Sequence, residues 1–271
     1  MYREYDDKTL KKLHQVELEI LDEFVRICDK YKLNYSLMAG TMLGAVRHAG
    51  FIPWDDDIDV CMLRSDYEKF LDVAKDELDK KYYLDCFKYN KDYYLSFAKI
   101  KKNQTIFDEI PHLNNHKGIF IDIFPIDNVS DIKKSHTIAG IIKIINDTIF
   151  VKLKIRKLKD TRYPLIVRFV KILSIQKLMK IKEKMVKKNK DNNSPYLACF
   201  FSLYDFNKEL LEREAFLPTK KIKFENKEYQ IINGYDNYLK NIYGDYMKLP
   251  PKEKRVNHMP EKIDFGEDNE D

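Results

Sequence analysis

An α+β fold, a mixed sheet flanked by helices with a basic helical insertion, is what this sequence predicts. Three observations carry the expectation. Leu13, Val16, Ile20, Phe24, Ile27 and Tyr31 recur at spacings of three and four, the period of a helix with one apolar face. Short runs at 82–84, 97–101, 105–107 and 118–124 are β-like. Residues 131–190 then read as helical and basic.

In chain order, Asp6 or Asp7 caps the first helix, which ends before Leu33-Asn34 and packs over the sheet. Residues 35–38 form a short strand that delivers Gly40-Thr41, and residues 42–47 form a short helix starting at that turn. Residues 49–54 are a loop, because Pro53 blocks regular structure and restricts Ile52. A strand follows at 58–63. Ser65-Asp66-Tyr67-Glu68 has the spacing of a capping box, opening a helix to about residue 78 with Phe70, Val73 and Ala74 inward. Within 118–124, Phe120, Asp122 and Phe124 alternate with Ile119, Ile121 and Ile123. An Asp among such neighbours is not a surface residue. It needs a partner or a metal, or it caps a turn by accepting backbone N–H groups.

Further on, Leu165, Phe169 and Leu173 make an apolar stripe joined by Ile166 and Val170. Residues 221–224 and 229–232 flank Glu225-Asn226 as a hairpin, and 235–243 form a short helix ending at Gly244. Pro250-Pro251 stops regular structure, and the acidic tail after Pro260 is expected to be loose.

The 271 residues suffice for one large domain or two small ones, and 44% hydrophobic with 34% charged content is globular rather than disordered. The start, MYREYDDKTLKK, is too polar for a secretory signal. No stretch approaches the roughly 20 apolar residues that cross a bilayer. Cys28, Cys61, Cys86 and Cys199 form no CxxC pair, so reduced core thiols are expected, and a cytoplasmic location with them. Residues 151–190 hold 15 Lys and Arg against Asp160 and Glu183, a net of +13, which leaves −8 for the rest of a chain whose total is +5. Such a run is either a solvated face or a surface for anionic membrane. Nucleic acid is not expected, since no zinc finger, RRM signature or RGG repeat is present.

The most informative stretch is GTMLGAVRHAGFIPWDDDIDV at 40–60. On an extended strand Asp57 and Asp59 project to the same side while Ile58 faces the packed side. Their mutual repulsion is relieved by a divalent cation, and Mg²⁺ takes oxygen ligands together with phosphate. Backbone N–H groups of a Gly turn entering a helix hold phosphate. The segment therefore points to chemistry at a phosphate.

GTMLGAVRH, GFIPWDDDID and RSDYEKF, with GIFIDIFPID at 118–127 and YGDYMKLPPKEKRVNH at 243–258, closely resemble the signature of the LicD-type phosphocholine transferase family. Its relatives include fukutin and fukutin-related protein. Residues 131–200 carry no matching motif. The resemblance implies the nucleotidyltransferase superfold, in which a third carboxylate on a neighbouring strand faces the Asp-x-Asp pair. Asp122 matches that position and Asp127 is second. The expected organisation is a catalytic core at 1–130, a basic helical region at 131–200 and a mixed segment at 201–271 packing on the core.

The resemblance further implies phosphocholine transfer from CDP-choline to a sugar of teichoic acid or lipopolysaccharide, with CMP released; relatives use CDP-ribitol. The expected metals are one or two Mg²⁺, or Mn²⁺, held by Asp57, Asp59 and Asp122, with Asp122 also the general base. Gly40 and Thr41 are candidates for seating phosphate. Arg47 either bridges phosphate oxygens or pairs with Asp55 or Asp56. His48 donates to phosphate or orients the loop. Trp54 either faces choline or packs the loop. Lys99 matches a basic position of the family. Arg255 and His258 lie in the last motif without an assigned role. Expected partners are a CDP-alcohol donor, a lipid-linked glycan acceptor and the anionic inner face of the plasma membrane. A nucleotidyltransferase moving NMP and a non-enzymatic scaffold are the rivals, the latter opposed by the intact Asp57, Asp59 and Asp122.

Overall fold

The computed structural model describes residues 4–188 and 193–266. Helix α1 (Asp7–Tyr31) is capped by Asp6, whose carboxylate accepts from the Thr9 N–H, and it ends at Lys32 in the left-handed conformation. Leu13, Val16, Ile20, Phe24 and Ile27 are buried, as the periodic stripe requires. Strand β1 (Ser36–Leu37) leads into α2 (Ala39–His48), and β2 (Asp59–Leu63) into α3 (Arg64–Glu77). Strands β3 (Tyr82–Asp85), β4 (Ala98–Lys102), β5 (Ile106–Asp108) and β6 (Phe120–Val129) follow. Helices α4 (Ile132–Lys152), α5 (Pro164–Val170) and α6 (Ile175–Lys187) occupy the basic region. The remainder is β7 (Tyr196–Ala198), α7 (Phe206–Glu209), β8 (Leu211–Glu212), α8 (Arg213–Phe216), β9 (Lys220–Phe224), β10 (Lys227–Ile231), α9 (Tyr235–Tyr243) and β11 (Lys262–Asp264).

The predicted α+β class holds. The main sheet runs β1-β2-β6-β4-β3, with β7 and β8 added beside the far half of β6. Only the β2–β6 pairing is parallel; the others are antiparallel. Strand β6 is the spine. It pairs with β4 as far as Ile123 and with β7 from Asp127. Pro125 falls in the gap between those two neighbours, where its missing N–H costs no ladder bond on that side. One apolar core joins α1, α2, α3 and this sheet to Phe224, Tyr229, Leu239 and Ile242 of the C-terminal segment. Smaller clusters pack α4 and α6 against Val129 and Ala198, and against Phe87 and Tyr93.

The hairpin turns at Glu225-Asn226 with Phe224 paired to Lys227, and α9 stops at Gly244, whose φ of 71° favours glycine. Four local expectations are corrected. Helix α2 starts at Ala39, so Gly40 and Thr41 lie in its first turn, and the left-handed residue is Ala39. The capping box at 65–68 does not form: α3 begins at Arg64, and Glu68 pairs with Arg64 and Lys187 instead of reaching back to the backbone. Arg64 is held by Asp127 through two bonds of 2.7 Å, which fixes it as the first helical residue. The tail is not loose at 262–264, because β11 adds to β5; residues 267–271 lie outside the described residues. The stripe Leu165, Ile166 and Phe169 faces outward. Helix α5 has seven residues and packs on α4, with Val167 fully buried while Val170 and Leu173 are partly covered.

Lys182 of α6 is 1% exposed and donates to Asn146 Oδ1 at 2.6 Å. Burial lowers its pKa to about 7, with Glu183 opposing the shift. Between that value and the ordinary lysine pKa of about 10.4 the unfolded chain binds the extra proton, so stability rises with pH across this window. Below it the cost of a buried ammonium is present in full. Lys182→Met is therefore expected to stabilise the protein by roughly 2 kcal/mol at pH 6. The gain should shrink toward pH 10, as read by urea unfolding at both values.

Candidate active site

The site is set by strand register. Asp59 on β2 lies directly opposite Asp122 on β6, and Asp122 lies opposite Lys99 on β4. Registered residues on neighbouring strands point to the same face, so Lys99, Asp122 and Asp59 form one row across three strands. The Lys99 ammonium sits 2.8 Å from Asp122 Oδ1 and 3.2 Å from the centre of the Phe120 ring. Burial pushes the Asp122 carboxyl up, and Lys99 holds part of that shift back. Burial also pushes up Asp59, reinforced by Asp57 and then Asp122. Its N–H donates to the Thr41 hydroxyl at 2.8 Å and its carbonyl accepts from Met38, which ties the strand to the first turn of α2.

The Asp55-Asp56-Asp57 loop brings more negative charge to the same place. Among the described residues, the acid and histidine group close enough to share one ion is Asp56, Asp57 and His258, with ligand atoms within 4.8 Å of one another. The predicted trio of Asp57, Asp59 and Asp122 shares a neighbourhood and mutual repulsion but is less tight. Burial pushes the Asp57 pKa up to about 6, and His258, 3.7 Å away, opposes it. Burial works against charge on His258, yet Asp57 and Asp56 raise its pKa to about 11.

The three neighbouring carboxylates do different work. Asp56 is 1% exposed and accepts from the backbone N–H groups of His258 and Met259 and from the Tyr5 hydroxyl. It latches the C-terminal segment to the loop across 202 residues of sequence. Asp55 lies against α2, where a Cβ on Gly40 would come within 3.0 Å of its Oδ2. That oxygen is buried with no partner among the described residues, and burial and the charge of Asp57 raise its carboxyl. Around the loop, His14 stacks on Phe51 at 3.7 Å and bonds the Asp55 carbonyl, while Glu225 accepts from the Phe51 N–H. Gly44 permits this approach of loop to helix, since a Cβ there would meet the Gly50 carbonyl at 2.5 Å.

The other predicted residues are distributed as follows. Gly40 and Thr41 are beside Asp55 and Asp59, as above. Arg47 donates to His48 Nε2 and to the Tyr246 carbonyl, and makes no ion pair with Asp55 or Asp56. His48 is thereby an acceptor, and its pKa is lowered by burial and by Arg47. Trp54 is 9% exposed, and the Arg255 guanidinium covers its ring at 4.0 Å. Asp127 is away from the row, committed to Arg64.

Glu17 was not anticipated as a neighbour of the site. It is 1% exposed in α1, one Oε is buried without a partner among the described residues, and burial and then Asp57 raise its carboxyl. It stands four residues after Leu13 and before Leu21, so a charged residue on the apolar stripe was the available signal. For Asp56 with His258, the last motif held the histidine but nothing local tied it to the loop.

Beside Lys99 a cleft of about 440 Å³, counting its open mouth, is lined by Tyr93, Tyr94, Phe107, Glu109 and Phe120. The lysines in its wall are each paired: Lys99 with Asp122, Lys101 with Asp85 and Lys117 with Asp108. Glu109 has no ion pair with a described residue, and its charge is felt at Asp122 and Tyr94. The buried Tyr93 hydroxyl has no partner among the described residues.

The profile of the family described as LicD/FKTN/FKRP, nucleotidyltransferase domain, matches residues 32–164. The chain is 33% identical over 263 residues to the lipopolysaccharide cholinephosphotransferase LicD of Haemophilus influenzae, covering 92% of this chain and 96% of that protein. Shorter similarity, 34% over 55 residues, links 20% of the chain to 18% of an uncharacterized protein of Rickettsia typhi. A protein of Rickettsia prowazekii, also uncharacterized, is 38% identical over 48 residues, 18% of each chain.

Proposed function

The chain belongs to the LicD family, and on that premise we propose that it is a transferase moving phosphocholine from CDP-choline onto a sugar hydroxyl of a teichoic acid or lipopolysaccharide precursor. The name of the Haemophilus relative supports the group transferred and the class of acceptor. The observation that carries the reading is the row Lys99–Asp122–Asp59, with Asp57 and His258 alongside.

The donor set fits a divalent metal. Asp55, Asp57, Asp59 and Asp122 all have carboxyls raised by burial, and a buried oxygen of Asp55 has no partner among the described residues. Such an oxygen-rich, under-compensated group suits Mg²⁺, with Mn²⁺ as substitute. Asp57, Asp59 and Asp122 would hold it, and when bound it would supply neutralising charge for the diphosphate. Asp122 takes the proton of the attacking hydroxyl, and Lys99 fixes the orientation of that carboxylate. The hydroxyl oxygen bonds to the phosphorus bearing choline. The bond from that phosphorus to the bridging oxygen breaks, and CMP leaves with that oxygen.

The choline end suits the cleft beside Lys99 better than Trp54, whose ring is covered by Arg255. With Phe120 already covered by Lys99, the rings of Tyr94 and Phe107 and the carboxylate of Glu109, which has no ion pair with a described residue, favour a quaternary cation over a polyol. A lipid-linked acceptor implies peripheral work at the inner face of the plasma membrane; among the described residues no helix is long and apolar enough to cross one.

The test is CMP release from CDP-choline, CDP-ribitol and CDP-glycerol with extracted lipid-linked glycans, beside CTP and ATP as rivals. CDP-choline is expected to be the best donor. Glu109→Gln is expected to raise its KM on the order of tenfold and to leave that of CDP-ribitol unchanged. Turnover of CTP or ATP in place of every CDP-alcohol would make the protein a nucleotidyltransferase.

A further inference from the structure

We propose that α5 and the turn after it form a wedge that seats in the surface of an anionic lipid bilayer. Leu165 is 73% exposed, Phe169 77% and Ile172 89%, and Tyr163 and Ile166 are exposed beside them. Scattered exposed apolar residues are ordinary, but five within ten residues on one short element are a surface with a use. The element is held firmly from below: Val167 is fully buried and the Lys152 ammonium bonds the Lys171 carbonyl at 2.9 Å. The outward side chains are thus presented by a fixed backbone.

Charge selects the occupant. Arg162, Arg168, Lys171 and Lys177 are exposed next to the wedge and make no ion pair with a described residue. They belong to the stretch with a net charge of +13 in a chain whose remainder is −8. A second copy docked face to face would set +13 against +13. A nucleic acid would meet the cations but leave the aliphatic centre against phosphate and water. A bilayer with anionic headgroups answers both features, with apolar side chains below the headgroups and Arg and Lys among them. The −8 remainder is repelled by the same surface, which turns the wedge toward it. The inference concerns where the protein docks and does not depend on which group it transfers.

The test is flotation of the full chain with phosphatidylcholine vesicles, with and without phosphatidylglycerol. The wild type is expected to float with the phosphatidylglycerol vesicles and to be released by high salt. The triple variant Leu165→Ser/Phe169→Ser/Ile172→Ser is expected to lose about tenfold or more in affinity with an unchanged melting temperature, since these side chains are exposed. Arg168→Glu/Lys171→Glu should abolish the preference for anionic vesicles. Three results would overturn the proposal: no flotation of the wild type, full binding by the triple variant, or a wild-type dimer in light scattering that the triple variant dissolves. Binding of duplex DNA in preference to vesicles would likewise assign the face to nucleic acid.

Discussion

Asp59→Asn is expected to lower kcat for transfer by about a thousandfold or more while the melting temperature stays level or rises. The two halves of this outcome share one cause. Asp59 is half-buried beside Asp57 and across from Asp122, and desolvation with the charges of these two neighbours raises its carboxyl. Replacing it with an isosteric amide removes a repelling charge from the folded state, and with it the donor that would hold a cation. Active sites commonly keep such a stability cost for function. Asp57→Asn should behave alike, because the Asp57 carboxyl is also pushed up, to about 6. Asp122→Asn should differ: it strips Lys99 of its partner 2.8 Å away, so activity and stability fall together. The measurements are steady-state CMP release and thermal melting of each variant. Full activity in the Asp59 variant would remove the row from the chemistry, and full activity in the Asp57 variant would remove Asp57 from the metal set.

Arg64→Met should cost about 3–5 kcal/mol, a large share of the 5–15 kcal/mol that holds a typical protein folded. Asp127 is 1% exposed and accepts from Arg64 Nε and Nη2, both at 2.7 Å. Without Arg64 the carboxylate is left buried and uncompensated. The double variant Arg64→Met/Asp127→Leu should recover most of the loss, since neither half of the pair then remains alone. Urea unfolding of both variants checks this. A loss under 1 kcal/mol in the single variant would mean that water compensates the Asp127 carboxylate in place of Arg64. The same variant separates the two aspartates of β6: catalysis per folded molecule should survive at Arg64–Asp127, whereas it should not survive at Asp122.

The elements easiest to read were those whose signal is local. The stripe from Leu13 to Ile27, the Glu225-Asn226 turn and the Gly244 stop each depend on residues within a few positions, and the structure has each of them; of the two caps the sequence allows, Asp6 and Asp7, Asp6 is the one that forms. The alternation around Asp122 was legible too, because a carboxylate between isoleucines and phenylalanines has few places to go. Where local patterns competed with distant partners, the partners prevailed. The box at 65–68 lost to the Arg64–Asp127 pair, and the tail at 262–264 was captured by β5.

The amino-acid sequence by itself determined the class of the fold, most of its helices and the carboxylates gathered in one segment, because periodicity and turn chemistry act over a few residues. Tertiary structure alone decided which neighbours those carboxylates have. Parallel pairing of β2 with β6 put Asp59 across from Asp122, and burial of Asp56 drew in His258, 202 positions further on, beside Asp57. It also decided that Val167 goes inward and Leu165, Ile166 and Phe169 outward. A seven-residue helix offers several apolar faces, and only the surface it packs against selects among them.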